Sequence, residues 1–284
     1  MSPNRRPPLR AGDELGPVPD APALLLRPSG RGAARTLLVA DLHLGVGAGE
    51  TANAPPPAAG ASALADGLIE LARAQRARRV VIAGDAKHPV VGVPPRLARA
   101  VFDFFGALLA ADLSVDLVRG NHDAGIDRAV PREVAIHPAT GLVLGGVGIF
   151  HGHRWPGPAL VPCGTLVVGH LHPGFRLAPT PDRPSGKERG WLRVELPAPV
   201  PGPRRTAPPF RARQLIVLPP FHPLAGVESL NVEKPRRGRS FLVARFLARG
   251  SARGYLLDGT DVGPIVLTGP DPPTGGGRRS APGR

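Results

Sequence analysis

Apolar and polar positions along the 284-residue chain fall into two regimes. In the first half, short unbroken apolar runs alternate with longer stretches of helical period. The runs TLLVA (36–40), RVVIA (79–83) and SVDLV (114–118) suit strands buried on both faces. Between them, 61–76 repeats apolar residues at helical spacing (Leu64, Leu68, Leu71), and 94–110 carries a stripe of Leu97, Val101, Phe104, Phe105 and Leu108. Pro94 and Pro95 suit the first turn of that second helix. Strand–helix–strand–helix–strand at this spacing predicts right-handed crossovers and a largely parallel sheet. From about Leu142 the pattern turns to short strands (LVL, VGIF, TLVV, RQLIVL, SFLVARF, PIVL) with no long helix. A parallel half followed by a strand-rich half predicts two facing sheets with helices outside.

Composition changes this picture at the margins. Gly and Pro number 37 each, roughly twice their usual share, yet 42% of the residues are hydrophobic, enough for a sizeable core. The prolines are concentrated. Residues 1–21 read as a disordered basic leader and 269–284 as a disordered Gly/Arg/Pro tail. Nine prolines between Pro179 and Pro209 read as a loose insertion with one strand, WLRVEL from Trp191. The expectation is therefore one domain over 22–268. Cys163 is the only cysteine, which excludes a disulfide framework. No apolar run approaches the ~18 residues of a membrane span, and no signal-like segment opens the chain, so the expected compartment is the cytoplasm. The formal net charge is +14, built from 33 Arg and only three Lys. That field attracts polyanions such as nucleic acid. An Arg-, Ala-, Pro- and Gly-rich chain is also what GC-biased coding produces, so the charge permits an anionic partner without requiring one.

The chemistry sits where apolar runs end. The three parallel strands lead into Asp41-Leu42-His43, Gly84-Asp85 and Gly120-Asn121-His122-Asp123. Two later strands lead into His151-Gly152-His153 and Gly169-His170-Leu171-His172. Ligands bind at the carboxyl edges of such sheets. Asp, Asn and His are the ligands of hard-to-borderline divalent metals. Asp41, His43, Asp85, Asn121, His151, His170 and His172 are seven groups, too many for one ion but enough for two if one carboxylate bridges. Paired ions suit phosphoryl chemistry. The Asp-x-His and His-x-His spacing places both side chains on one side of an extended segment. The neighbouring glycines let the backbone come close to the ions.

In this order, the motifs Asp41-x-His43, Gly84-Asp85, Gly120-Asn121-His122-Asp123, His151-Gly152 and Gly169-His170-x-His172 resemble those of the calcineurin-like metallophosphoesterase superfamily. The Asp-Leu-His-Leu-Gly start (41–45) and Leu218-Pro219-Pro220-Phe221 are similar to the small prokaryotic branch with the ligase-associated DNA damage response endonucleases. Gly84-Asp85-Ala86-Lys87-His88 is more similar to its archaeal-type sister branch. The resemblance implies a four-layer αββα sandwich of the α/β class, with two facing mixed sheets. It also implies two divalent metals, commonly Mn, with Fe or Zn also seen. Asp41, His43, Asp85 and His172 would hold the first ion. Asp85 would bridge to the second, held also by Asn121, His151 and His170. His122 would be the general acid and Asp123 the carboxylate that orients it. A hydroxide bridging the metals would attack phosphorus in line.

Several residues keep two readings. His151 follows its strand directly and is favoured over His153 as ligand. Lys87 and His88 would contact a phosphate oxygen or sit in a solvated loop. His222 would approach the site or pack a strand end. Trp155 would stack on a base or, more commonly for a loop Trp, cover apolar neighbours. Three functions compete: a phosphodiesterase acting on DNA, RNA or nucleotides, a hydrolase of small phosphoesters or pyrophosphates, and a silent metal-binding partner protein.

Overall fold

A computed structural model describes residues 15–27, 34–47, 57–179, 185–197, 199–202, 207–232, 246 and 250–266. Its first sheet has the order β1 (Leu15–Pro17), β2 (Leu24–Leu26), β3 (Arg35–Val39), β4 (Ala77–Ile82), β5 (Ser114–Val118), β6 (Ala135–His137). The pairs from β3 to β6 are parallel, and β1 and β2 extend the edge antiparallel. Leu37, Val39, Val80 and Ile82 face a helical layer, while Leu38, Ala40, Val81 and Ala83 face the second sheet. Burial on both faces is why these runs carry no polar alternation.

The helical layer is α1 (Pro57–Gln75) and α2 (Pro95–Ala110), packed on each other and on β4 and β5. The α2 stripe is buried as its spacing predicts, with Ala100 added. Helix α1 begins four residues earlier than its period indicates, because a proline is tolerated in a first turn. Its inner face is Ala61, Ala65, Leu68, Ile69 and Ala72, small residues that let it approach closely, while Leu64 and Leu71 are half-buried at the margin.

The second sheet contains β7 (Leu142–Leu144), β8 (Val147–Phe150), β9 (Thr165–Val168), β10 (Pro173–Leu177), β11 (Gly186–Glu195), β12 (Gln214–Val217), β13 (Glu228–Ser229), β14 (Ser251–Leu256) and β15 (Asp261–Ile265). At its centre β8, β9 and β12 are parallel. The long β11 pairs with β10 in its first half and lies between β12 and β14 in its second. Leu26, Leu38 and Val81 of the first sheet meet Ile149, Val167, Trp191 and Ile216 of the second in one shared apolar layer. The outer face of the second sheet is covered by Leu160, Phe210 and Phe246. The molecule is thus a mixed α/β sandwich of two facing sheets.

One boundary shifts. Residues 15–21, assigned to the leader, contain β1: Leu15 and Val18 are buried, and Pro17 sits on an edge strand where its missing N–H is harmless. Residues 1–14, the tail from 267 and most of SFLVARF (240–246) lie outside the described residues. Among the described residues no helix is long and apolar enough to cross a membrane.

Candidate metal centre

The site forms where the parallel strands of both sheets end. Backbone pairing continues past β3 and β4, with Asp41 N donating to Gly84 O (3.0 Å), His43 N to Asp85 O (2.9 Å) and Leu44 N to Ala86 O (2.9 Å). This ladder fixes the two loops that deliver Asp41, His43 and Asp85. The sheets meet here, because His170 N donates to Asp41 Oδ2 (3.1 Å) and the His151 ring donates through Nδ1 to Ala83 O (2.9 Å).

The two-residue spacing predicts extended segments, and the loops depart from that expectation. Asp41 (φ 57°), His43 (41°), Asp85 (53°), His170 (69°) and His172 (44°) all adopt the left-handed conformation. They are five of the eight non-glycine residues with positive φ among those described. Such a conformation costs on the order of 1–3 kcal/mol for a residue with a side chain and persists where the surroundings over-determine it. The cause here is packing. Leu42 and Leu171, between the paired ligands, are buried in opposite outer cores, so the backbone turns to send the flanking side chains inward. Gly120 shows how tight the site is, since a Cβ there would fall on the Asp85 carboxylate and amide.

All seven expected ligands converge. Asp41, His43 and His172 bring one ligand atom each to within 4.8 Å of one another, and so do Asp85, His151 and His170. The Nε2 atoms of His43 and His172 face each other at 3.1 Å. Asn121 Oδ1 is 3.0 Å from His151 Nε2, which places it beside the second set. Asp85 lies between the sets, its Oδ2 3.2 Å from His151 Nε2 and 3.9 Å from His43 Nε2. His151, rather than His153, belongs to the second set. The His153 ring stands 5.3 Å from that of His151, and its Nδ1 is buried with no hydrogen-bond partner among the described residues.

Two ligand rings are oriented from behind. His151 Nδ1 is held by Ala83 O and His172 Nδ1 by Gly226 O (2.8 Å). With these protons on Nδ1, the Nε2 lone pairs point inward, the arrangement in which imidazoles bind metals. The donor set and its tautomers therefore fit divalent ions. These carbonyl partners were invisible in the sequence, because any residue supplies a carbonyl.

The charges agree with that fit. Burial pushes the His43 and His170 pKa values down to about 4, with neighbouring imidazoles adding and Asp41 and Asp85 opposing. At His151 burial works in the same direction, but the Asp85 hydrogen bond and the Asp85 and Asp41 charges outweigh it and hold the pKa up at about 9. His172 is raised likewise: burial opposes, and its contact with Asp41 prevails. Burial also opposes ionisation of Asp85, yet His151 and the His122 amide keep its carboxyl well below the usual range. The proton on His151 thus stands, in the metal-free protein, where a cation would balance the buried carboxylates.

The expected dyad takes another form. Asp123 is buried and accepts three backbone amides, from Ala86 (2.9 Å) on Oδ1 and from Asp85 (3.0 Å) and Gly120 (2.7 Å) on Oδ2. It clamps the loops that carry Asp85 and Asn121. The His122 ring is held instead by the His88 carbonyl, through Nδ1, and its Nε2 points at Asp85 Oδ2, 3.8 Å away.

The undecided residues also find places. Lys87 is fully buried, which removes the solvated-loop reading for it. His88 Nδ1 is 3.4 Å from His43 Nδ1, beside the first set. His222 is buried, with its Nδ1 accepting the Leu224 amide (3.0 Å) and its own amide near Asp41 O (3.4 Å). Trp155 stacks on Phe210 (6.2 Å) over the outer core, the covering role. Cys163 is a buried free thiol.

Comparison with protein-family profiles finds no match, and comparison with curated proteins finds none. Among solved structures the chain is similar to the Pseudomonas putida nuclease MPE, at 20% identity and a TM-score of 0.48, over 88% of this chain and 100% of that one. It is also similar to YfcE, a phosphoesterase from E. coli, at 17% identity and 0.35, over 82% and 99%. Likeness at this level says nothing about substrate.

Proposed function

We propose that residues 15–266 form one dinuclear, metal-dependent phosphoesterase of the calcineurin-like type that hydrolyses phosphodiester bonds of nucleic acid or nucleotides. The observation that carries this reading is the position of Asp85, whose carboxylate stands between two sets of His and Asp ligands. Asp41, His43, His172 and Asp85 would hold one ion, and Asp85, Asn121, His151 and His170 the other. When bound, such ions supply Lewis acidity that activates the attacking water and neutralises charge on the phosphoryl oxygens. An oxygen-and-imidazole donor set suits Mn, Fe or Zn, and the motif resemblance favours Mn.

The chain's own residues complete the chemistry. His122 keeps its Nδ1 on the His88 carbonyl and presents Nε2 toward Asp85, the point shared by both ligand sets. Its imidazolium gives the Nε2 proton to the leaving oxygen as the P–O bond breaks, the role of a general acid. The surplus of positive charge draws polyanions toward the molecule.

The test is hydrolysis of bis(p-nitrophenyl) phosphate by protein stripped of metal and refilled with Mn²⁺. The expected result is activity that requires metal, two ions per chain by elemental analysis, and loss of turnover in Asp85→Asn. Binding of a single ion, or none, would overturn the dinuclear reading. Two bound ions without turnover would point to a silent metal protein.

A further inference from the structure

We propose that Lys87 is a positioning residue for His122: its buried ammonium holds the 87–89 turn in the shape that sets the His88 carbonyl against the His122 ring. This rests on the reading of His122 as general acid.

The first observation is one of composition. The chain meets its need for positive charge with 33 Arg and three Lys, and one of those three is fully buried two residues beyond Asp85. A buried cation is retained at a cost in solvation that only nearby partners offset. A lysine fits such a place where an arginine does not, because its compact head needs fewer acceptors than a planar guanidinium with five donors. The charges facing Lys87 are Asp123 and Asp85: burial draws its pKa down and these carboxylates push it back.

The second observation is where the ammonium goes. Lys87 Nζ donates to the carbonyl of Pro89, two residues on, so the side chain closes the turn around His88. The other side of the turn is fixed by Leu44, which bridges to Lys87 and accepts the His88 amide at 3.0 Å. The His88 carbonyl is left pointing at His122 Nδ1.

The third observation is that the expected orienting group is occupied elsewhere. Both Asp123 oxygens are taken by the amides of Asp85, Ala86 and Gly120. What holds the general acid is therefore a backbone carbonyl, and what holds that carbonyl is the turn that Lys87 closes. In the step itself, the proton moves from His122 Nε2 to the leaving oxygen. The electron pair of the breaking P–O bond goes to that oxygen, and His122 is left neutral with its remaining proton on Nδ1.

The experiment uses a series of aryl methyl phosphates, from nitrophenyl, which leaves without a proton, to unsubstituted phenyl, which needs one. Lys87→Met, His122→Ala and the double variant are compared with the parent, all metal-loaded. Lys87→Met is expected to cleave the nitrophenyl ester within about threefold of the parent and the phenyl ester at least about tenfold more slowly. His122→Ala shows the same pattern more strongly, and the double variant is no slower than His122→Ala, since residues acting as one unit are not additive. A second readout is the two-bond ¹H–¹⁵N spectrum of the zinc-loaded protein, in which the His122 proton sits on Nδ1 in the parent and is shared between both nitrogens in Lys87→Met. Lys87→Gln, which keeps an N–H donor, replaces the methionine variant in every measurement if that variant does not fold.

Equal slowing of both esters, loss of bound metal, or an unchanged spectrum in the Lys87 variant would overturn the proposal while leaving His122 as the acid. A His122→Ala enzyme with no dependence on the leaving group would remove the general-acid reading itself, and the positioning role with it.

Discussion

On the proposed assignment, removing the His122 imidazole takes away a proton donor but none of the seven ligands, whereas changing Asp85 touches both sets at once. His122→Ala is therefore expected to retain both metals by elemental analysis and to slow turnover of an ester whose leaving oxygen needs a proton, such as the phenyl ester, by about 10²- to 10⁴-fold, the range of general-acid contributions. Metal loss in that variant would contradict the assignment. The histidines make a separate prediction about protons. His151, held up at about 9, carries a proton in the metal-free protein at pH 7.5, His172 is shifted in the same direction by its contact with Asp41, and metal binding needs both Nε2 atoms neutral. Loading should release about one proton or more per chain, measured calorimetrically in buffers of different ionisation enthalpy, and apparent affinity should rise with pH up to about 9. Release of no proton would show that these rings are not ligands. The metal-free fold responds with both signs. The raised His151 stabilises it fully below the unfolded value of 6.5, and that contribution fades as pH climbs through about 9. His43 and His170, lowered to about 4, stabilise it above 6.5, and that contribution is lost as pH falls toward 4.

At the scale of elements, the loops after β3, β4 and β5 act as one unit: backbone bonds tie the first to the second, and Asp123 ties the second to the third. Asp123→Ala leaves three buried amides without an acceptor, and with about 1–3 kcal/mol lost per charged hydrogen bond the protein should lose about 3–5 kcal/mol of stability and much of its metal affinity. Thermal melting with and without Mn²⁺ measures this. A variant of full stability whose only defect depended on the leaving group would return Asp123 to the role of orienting His122. A contrast comes from α2. Phe105→Ala there should cost about 3–5 kcal/mol by leaving a cavity in the helical core, yet leave metal content unchanged in whatever protein remains folded. The strands β3, β4 and β5 and the stripe of α2 were legible in the sequence because burial on both faces, or on one helical face, leaves a periodic trace. β6, β10 and β14 were not: β6 is only three residues long, Gly and Arg interrupt β10 and β14 (as Arg253 and Gly254 do in β14), and only pairing with neighbours makes them strands. β1 was hidden in the same way by its Gly and Pro.

For the whole molecule, the surplus of arginine and the metal centre can be separated by salt. If the substrate is a polynucleotide, raising salt from about 50 to 200 mM should weaken its binding by about tenfold or more through lost counterion release, while bis(p-nitrophenyl) phosphate hydrolysis changes little. A flat response with both substrates would identify a small phosphoester as the natural one and the charge as a by-product of composition. The sequence by itself determined that ligands gather at strand ends, because each of the seven stands within four residues of the end of an apolar run, and parallel topology brings such ends to one edge. It also determined the facing sheets, through the change from helix-separated strands to strands alone. Only the tertiary structure decided that the ligand loops turn left-handed, that Asp123 serves the backbone, and that a carbonyl behind His122 rests on a buried lysine. These depend on burial and on which carbonyl faces which ring. Carbonyls are common to every residue, and burial is a property of the packed molecule rather than of any local stretch of chain.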